Sequence, residues 1–206
     1  MVPGLGLDAR SSARVRNRVQ SDVALLPGMG LAEPVPAVDV LAARLLASLG
    51  EGPVMLVGHS QSCQVVAAAA LDPRVAAVVL LGPTTDPRMR RLAVLAWRWL
   101  RTAVAERWEQ APLVVAQWWR TGPRAMRALW RTAASDRIDR RLARVSVPVT
   151  VVRGTRDRLC PRDWAAPVCA AAPRGRLVEI SGAAHMTVHT HPDAVAAILL
   201  EVSGAP

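Results

Sequence analysis

The sequence predicts an α/β fold with a mostly parallel sheet, broken at one point by an inserted group of helices. Three observations carry that reading. Short apolar runs alternate with stretches of helical spacing, the pattern of parallel strands covered on both faces. One stretch, residues 86–141, holds no strand-like run at all. The chain's 206 residues are 51% hydrophobic and 20% charged, with a mean hydropathy of +0.21. That fits one domain with a sizeable core, or one domain carrying an insertion, and excludes a disordered or fibrous chain.

Taken in order, residues 23–26 form a short apolar run that ends at Pro27-Gly28-Met29-Gly30, as a buried strand entering a loop would. Residues 38–49 place Val38, Leu41, Ala42, Leu45, Leu46 and Leu49 at helical spacing, and Gly50 suits the stop. Residues 54–57 read as a second strand, followed at once by Gly58-His59-Ser60-Gln61-Ser62. Residues 63–71 form an Ala/Val-rich helix closed by Asp72-Pro73. Further strands are expected at Val75–Leu81, 147–153 and 176–181, with helices at 163–172 and after Pro192. The domain plan is therefore a core built from residues 1–85 and 142–206, with residues 86–141 as a helical cap.

That segment has an unusual make-up. It holds 13 of the 26 arginines, six of the seven tryptophans (97, 99, 108, 118, 119 and 130) and five acids, a balance of +8 within a net charge of +10. Met89, Leu92, Ala96, Leu100, Ala103 and Val104 fall on one helical stripe, with Arg91, Arg98 and Arg101 mostly off it. The stripe is expected to face the core. The tryptophans either pack on the core or line a pocket where an arginine meets an anionic substrate. A basic amphipathic helix lying on a membrane surface is a third reading.

Composition narrows the rest. All 26 basic residues are Arg, and Lys, Phe and Tyr are absent, the skew that GC-rich coding produces. The positive charge fits an anionic partner. No recognisable reading motif accompanies it, so nucleic acid is not expected as a partner. No apolar run reaches the ~18–20 residues of a membrane span, so stable membrane insertion is not expected. The first residues lack a basic region followed by an apolar one, and so do not read as a secretory signal. Cys63, Cys160 and Cys169 are odd in number with no CxxC spacing, which points away from disulfides and zinc and toward the cytoplasm.

Chemistry concentrates at three loops. Gly58-His59-Ser60-Gln61-Ser62 lies between a strand and a helix, where a sharp turn thrusts the Ser60 hydroxyl outward. The helix N-terminus there offers the Gln61 N–H to a developing oxyanion. A capping serine is the plainer reading. Asp157 follows the strand at 147–153, and His185, in Gly182-Ala183-Ala184-His185, follows the last strand. Each alone could be a turn residue. Together they give the order Ser…Asp…His beyond the C-terminal ends of strands, where open α/β sheets build sites. His59 reads as a packing residue, Ser62 as wrongly placed for a nucleophile, and Cys63 as a small buried hydrophobe. His189 and His191 lack a further ligand near His185, so no metal is expected.

With these motifs the chain resembles the α/β-hydrolase family. Val2-Pro3-Gly4-Leu5-Gly6 is similar to its oxyanion loop, and Leu26-Pro27-Gly28-Met29-Gly30 to its Leu-Pro-Gly-x-Gly loop. The 58–62 turn, Arg153-Gly154-x-x-Asp157 and Gly182-Ala183-Ala184-His185 match the triad-bearing segments. Ser62 stands where Gly is usual. The resemblance implies a cofactor-free serine hydrolase, with Ser60 as nucleophile, His185 as base, Asp157 as its orienting acid, and the amides of Leu5 and Gln61 as oxyanion hole. The implied substrate is a small molecule, first a carboxylic ester of an apolar, aromatic or anionic compound. C–C bond hydrolysis or perhydrolysis on the same triad, and a non-catalytic ligand binder, stand as alternatives. In this family strands precede the oxyanion loop, of which Met1-Val2 alone remain, so an N-terminally truncated core that folds poorly is an expectation.

Overall fold

The computed structural model describes residues 1–204, apart from the side chain of Leu92. After a 3-10 turn at Ala9–Ser12 come a short helix α1 (Ala13–Arg16), two brief paired strands β1 (Leu26–Pro27) and β2 (Gly30–Leu31), and helix α2 (Val38–Ala47). Then β3 (Val54–His59), α3 (Ser62–Ala69) and β4 (Val75–Leu81) follow in a right succession of strand, helix and strand. Residues 86–141 are occupied by α4 (Leu92–Ala105), α5 (Ala111–Thr121), α6 (Pro123–Ala134) and the start of α7 (Ile138–Leu142). The chain closes with β5 (Val149–Gly154), α8 (Arg162–Ala171), β6 (Gly175–Ile180), α9 (Thr187–Thr190) and α10 (Pro192–Ser203).

The main sheet is parallel throughout, in the order β3-β4-β5-β6. Its strands alternate between two cores, which is why they read as continuous apolar runs. Val78, Leu80, Val149 and Val151 pack beneath α2, α3, α7 and α8 with Leu41, Leu45, Val66, Leu142 and Val168. Val79, Leu81 and Val152 pack on the opposite face with Val15, Val188, Val195, Ile198 and Leu199. Each such side chain contributes about 1.5–3 kcal/mol on burial. Val2 pairs in parallel with Gly58, donating from its N–H to Val57 O at 2.8 Å and accepting from His59 N at 3.2 Å. Met1-Val2 thus occupy the outer edge of β3 beside the 58–62 turn.

Two sequence expectations are overturned. Residues 23–26 do not form a buried strand. Residues 23–25 make one ladder bond, Ala24 N to Met1 O at 3.0 Å, with Leu25 partly exposed, and only Leu26, at the start of β1, is buried and strand-paired. The run is short and closes on Pro27, whose nitrogen has no hydrogen to donate.

The stripe on α4 also faces the wrong way for a core helix. Met89 is buried, but Ala96 is exposed and Leu100 and Val104 are 55% and 67% exposed, while Thr102 and Arg98 turn inward. Leu92's side chain lies outside the described residues. The reason is Asp86, which is 1% exposed and ion-paired to Arg98 and Arg88 at 2.6 and 2.7 Å. Arg88 gives that buried carboxylate one cation, and the inward face of α4 gives it a second. The helix therefore rotates to deliver Arg98. Burial would raise the Asp86 pKa, but the two guanidiniums hold it below the ordinary value.

Candidate active site

The strand-to-helix turn after β3 holds Ser60 at φ +58, a left-handed conformation that non-glycine residues seldom adopt. Its N–H is anchored to Leu81 O at 2.8 Å. The turn is tight, since a Cβ on Gly58 would stand 3.1 Å from the Cys63 Cα and N. Ser62, with no exposed surface, accepts from His59 N at 2.8 Å, and its Oγ lies 2.8 Å from Val2 O and 2.9 Å from His59 O. It stitches the turn together.

The loops after β5 and β6 bring the other two residues to Ser60. His185 Nδ1 lies 2.7 Å from Asp157 Oδ2, and its Nε2 lies 2.9 Å from Ser60 Oγ. Asp157 is 1% exposed, and its second oxygen accepts from the Leu159 and Cys160 amides at 2.8 and 3.0 Å. With the carboxylate held as an acceptor, Nδ1 carries the imidazole proton and Nε2 is left to accept from Ser60. Burial would lift the Asp157 pKa, but the facing imidazole and the amides hold it below the carboxylate range. Burial would lower that of His185, but the charge and hydrogen bond of Asp157, with Glu106 beyond, raise it.

A Cβ on Gly4 would lie 3.1 Å from Ser60 Cβ, so the 2–6 loop runs against the serine. The amides of Leu5 and Gln61 donate to no protein acceptor among the described residues. All five site residues proposed from sequence thus fall in one neighbourhood.

Residues 1–198 match the family model described as the alpha/beta hydrolase family. The chain belongs to that family. With this membership it is an enzyme, an α/β-fold hydrolase. None of the curated proteins compared with it matches in sequence. Among solved structures, the hydrolase olei00960 from Oleispira antarctica shares 14% identity at a TM-score of 0.78, over 97% of this chain and 88% of its own. MenH from S. aureus shares 16% at 0.78, over 98% and 91%. E-2-(acetamidomethylene)succinate hydrolase shares 22% at 0.74, over 98% and 89%. These likenesses are of fold.

Gly82, which shapes the α/β-hydrolase site, was not visible in sequence, while Arg153 and Gly154 stood in the Arg153-Gly154-x-x-Asp157 motif without their packing role being read. Gly82, at φ +58, leaves room for the His–Asp pair, because a Cβ there would stand 3.1 Å from the His185 ring and 3.3 Å from Asp157 Oδ2. Gly154 does the same for the 183–184 peptides, whose oxygens would lie 2.3 Å from its Cβ. Arg153, 4% exposed, donates to Cys160 O at 2.8 Å and to Asp157 O at 3.3 Å and pairs with Glu179, caging the acid's loop. A signal existed, since arginine at a strand end beside an acid in the next strand asks for a pairing partner.

His59 is buried beside the base, with ring centroids 5.2 Å apart and its Nε2 3.2 Å from His185 O. Burial, then the neighbouring His185, depress its pKa to about 3. It is neutral at ordinary pH and holds the His185 carbonyl. The Cys63 thiol is raised by burial and lies against the Gly58 and Leu81 carbonyls. His189 donates no metal-binding cluster, and no grouping of three or more His, Cys, Asp or Glu able to hold a metal occurs among the described residues.

The helices of 86–141 meet the site loops through side chains. Gln117 Oε1 accepts from Asp8 N at 2.7 Å, Thr102 Oγ1 from Arg158 N at 3.1 Å, and Glu106 Oε1 from Met186 N at 2.7 Å. Thr121 donates to Gly6 O at 3.0 Å. Trp118 and Met126 pack on Gly6 so closely that a Cβ there would meet them at 2.5 and 3.0 Å.

Proposed function

We propose that the protein is a serine hydrolase working by acyl transfer, with Ser60 as nucleophile, His185 as base and acid, and Asp157 as the group that orients the imidazole. The observation that carries this is the continuous hydrogen-bonded line from Asp157 to His185 to Ser60, at 2.7 and 2.9 Å. Ser60 Oγ attacks a carbonyl carbon as its proton passes to His185 Nε2. The oxyanion is received by the Leu5 and Gln61 amides, where one donor is worth about 10²–10³ in rate. Collapse breaks the carbonyl's bond to the leaving oxygen, which takes the proton from Nε2. Water then attacks the acyl-serine by the same relay, releasing acid and free Ser60.

The substrate of this reading is a carboxylic ester of an apolar or aromatic small molecule. An anionic group on it agrees with the arginine excess of 86–141 and with a structural neighbour named for hydrolysing a succinate. Residues 86–141 serve as the cap, supported by their bonds to the loops at 6, 8, 158 and 186. The three cysteines are free and buried, which favours the cytoplasm. No helix among the described residues is long and apolar enough to cross a membrane.

The test is labelling with a fluorophosphonate probe, beside Ser60→Ala and a heat-denatured control. Labelling of the native protein alone is expected. Folded native protein that does not label would overturn the reading in favour of a ligand binder.

A further inference from the structure

We propose that the outward face of α4 and the residues that follow it dock the protein on an anionic lipid surface. Trp97, Leu100 and Val104 stand along one face of α4 at helical spacing and are 59%, 55% and 67% exposed, and Trp108, in the short 3-10 turn that follows, is 76% exposed. On α5, Val115 and Trp119 continue the exposed apolar set one turn apart, Trp119 at 87%. The two helices are tied by the Trp99–Trp118 contact, with ring centroids 5.7 Å apart. Tryptophans left in water at this density mark an interaction surface.

Charge decides which kind. Arg91, Arg101 and Arg107 flank this face, are exposed, and form no ion pair among the described residues. Arg101 lies over the Trp97 ring at 5.4 Å from its centroid. The segment's acids are mostly spent elsewhere. Asp86 is paired with Arg88 and Arg98, Asp136 with Arg141, and Asp139 with Arg137. Glu106 is bonded to Met186 N and Gln110, which leaves Glu109 exposed. The face therefore presents tryptophan and unpaired guanidinium with one acid nearby. Indole rings settle at headgroup depth, and guanidiniums bind phosphate oxygens in pairs. A fluid anionic headgroup layer satisfies both without a shaped partner, whereas a second copy of this face would bring arginine against arginine.

Each arginine held near such a surface is worth about fivefold in affinity. The experiment is co-sedimentation of the full chain with phosphatidylcholine vesicles and with vesicles that also contain phosphatidylglycerol. Binding to the anionic vesicles at least about tenfold tighter, weakening with salt, is expected. Trp97→Ser/Trp108→Ser is expected to lose most of the binding with its circular dichroism unchanged. Arg101→Glu/Arg107→Glu, which leaves the tryptophans in place, is expected to abolish the preference for anionic vesicles. Equal binding to both vesicles, or none, overturns the proposal. So does a concentration-dependent dimer, broken by the tryptophan changes, in protein that ignores vesicles.

Discussion

Substituting Gly82 by Ala tests the site geometry at its tightest point. The new methyl would stand 3.1 Å from His185 Cε1 and Nδ1 and 3.3 Å from Asp157 Oδ2, so the imidazole must give by a few tenths of an ångström. The backbone at φ +58 adds strain of about 1–2 kcal/mol for an alanine, offset by about 0.4–1 kcal/mol from the stiffer unfolded chain. The net loss of about 1 kcal/mol lowers Tm by about 2–4 °C in a chain of this length. Displacement of the base acts more strongly, since misplacing a catalytic group by about 1 Å costs up to about 10²-fold. We expect kcat/KM on a p-nitrophenyl ester to fall about 10–100-fold. Gly204→Ala is the control, because it carries a left-handed backbone penalty at φ +67 and ψ 13 with nothing within 4 Å of the new methyl. It should lose similar stability and keep its turnover. A folded Gly82→Ala enzyme with wild-type kcat/KM, or a Gly204→Ala enzyme equally impaired, would refute the reasoning.

The raised pKa of His185 places the acid limb of kcat/KM above 6.5, because the imidazole must be neutral to take the serine proton. Glu106→Gln keeps an acceptor for Met186 N but removes a charge that favours the imidazolium, so a pH–rate profile should show that limb moved to lower pH. Ser62→Ala removes the nearer of the two acceptors of the buried His59 amide, leaving Val2 O at 3.2 Å, and should cost about 0.5–1.5 kcal/mol in urea unfolding. His59 is depressed from 6.5 to about 3, so the unfolded chain takes up a proton first as pH falls. Its contribution is full above 6.5 and lost toward 3, about 2 kcal/mol between pH 7 and pH 5. His185, raised, acts in the opposite sense, its contribution present below 6.5 and lost as pH rises through its folded-state value. Melting at both pH values should show a shallower acid slope in His59→Asn than in the native protein.

The legible parts of the fold were those whose cause is local. Val75–Leu81 was bounded from its own apolar run because a central parallel strand must be apolar on both sides. Ser60, Asp157 and His185 could be placed because each follows such a strand directly. What required a partner in space was hidden. Gly82 reads as an ordinary strand end until the His185 ring is seen against it. The rotation of α4 follows from Asp86, a residue outside the helix, whose burial no periodicity reveals. Residues 23–25 had the composition of a strand but no neighbour to pair with beyond Met1.

The helices between β4 and β5 grip the loops at Asp8, Arg158 and Met186 by accepting from main-chain N–H groups. Every residue type but proline offers that group, so the side chains of the gripped loops are free to drift while the grip persists. An inserted segment anchored in this way behaves like a fitting made to a common thread. Substitutions that reshape its inner lining can accumulate, and whole replacements of it can be seated, without compensating changes at Ser60, Asp157 or His185. On the proposed reading of residues 86–141 as the cap, selection can then explore substrate preference and reaction chemistry as nearly separate traits.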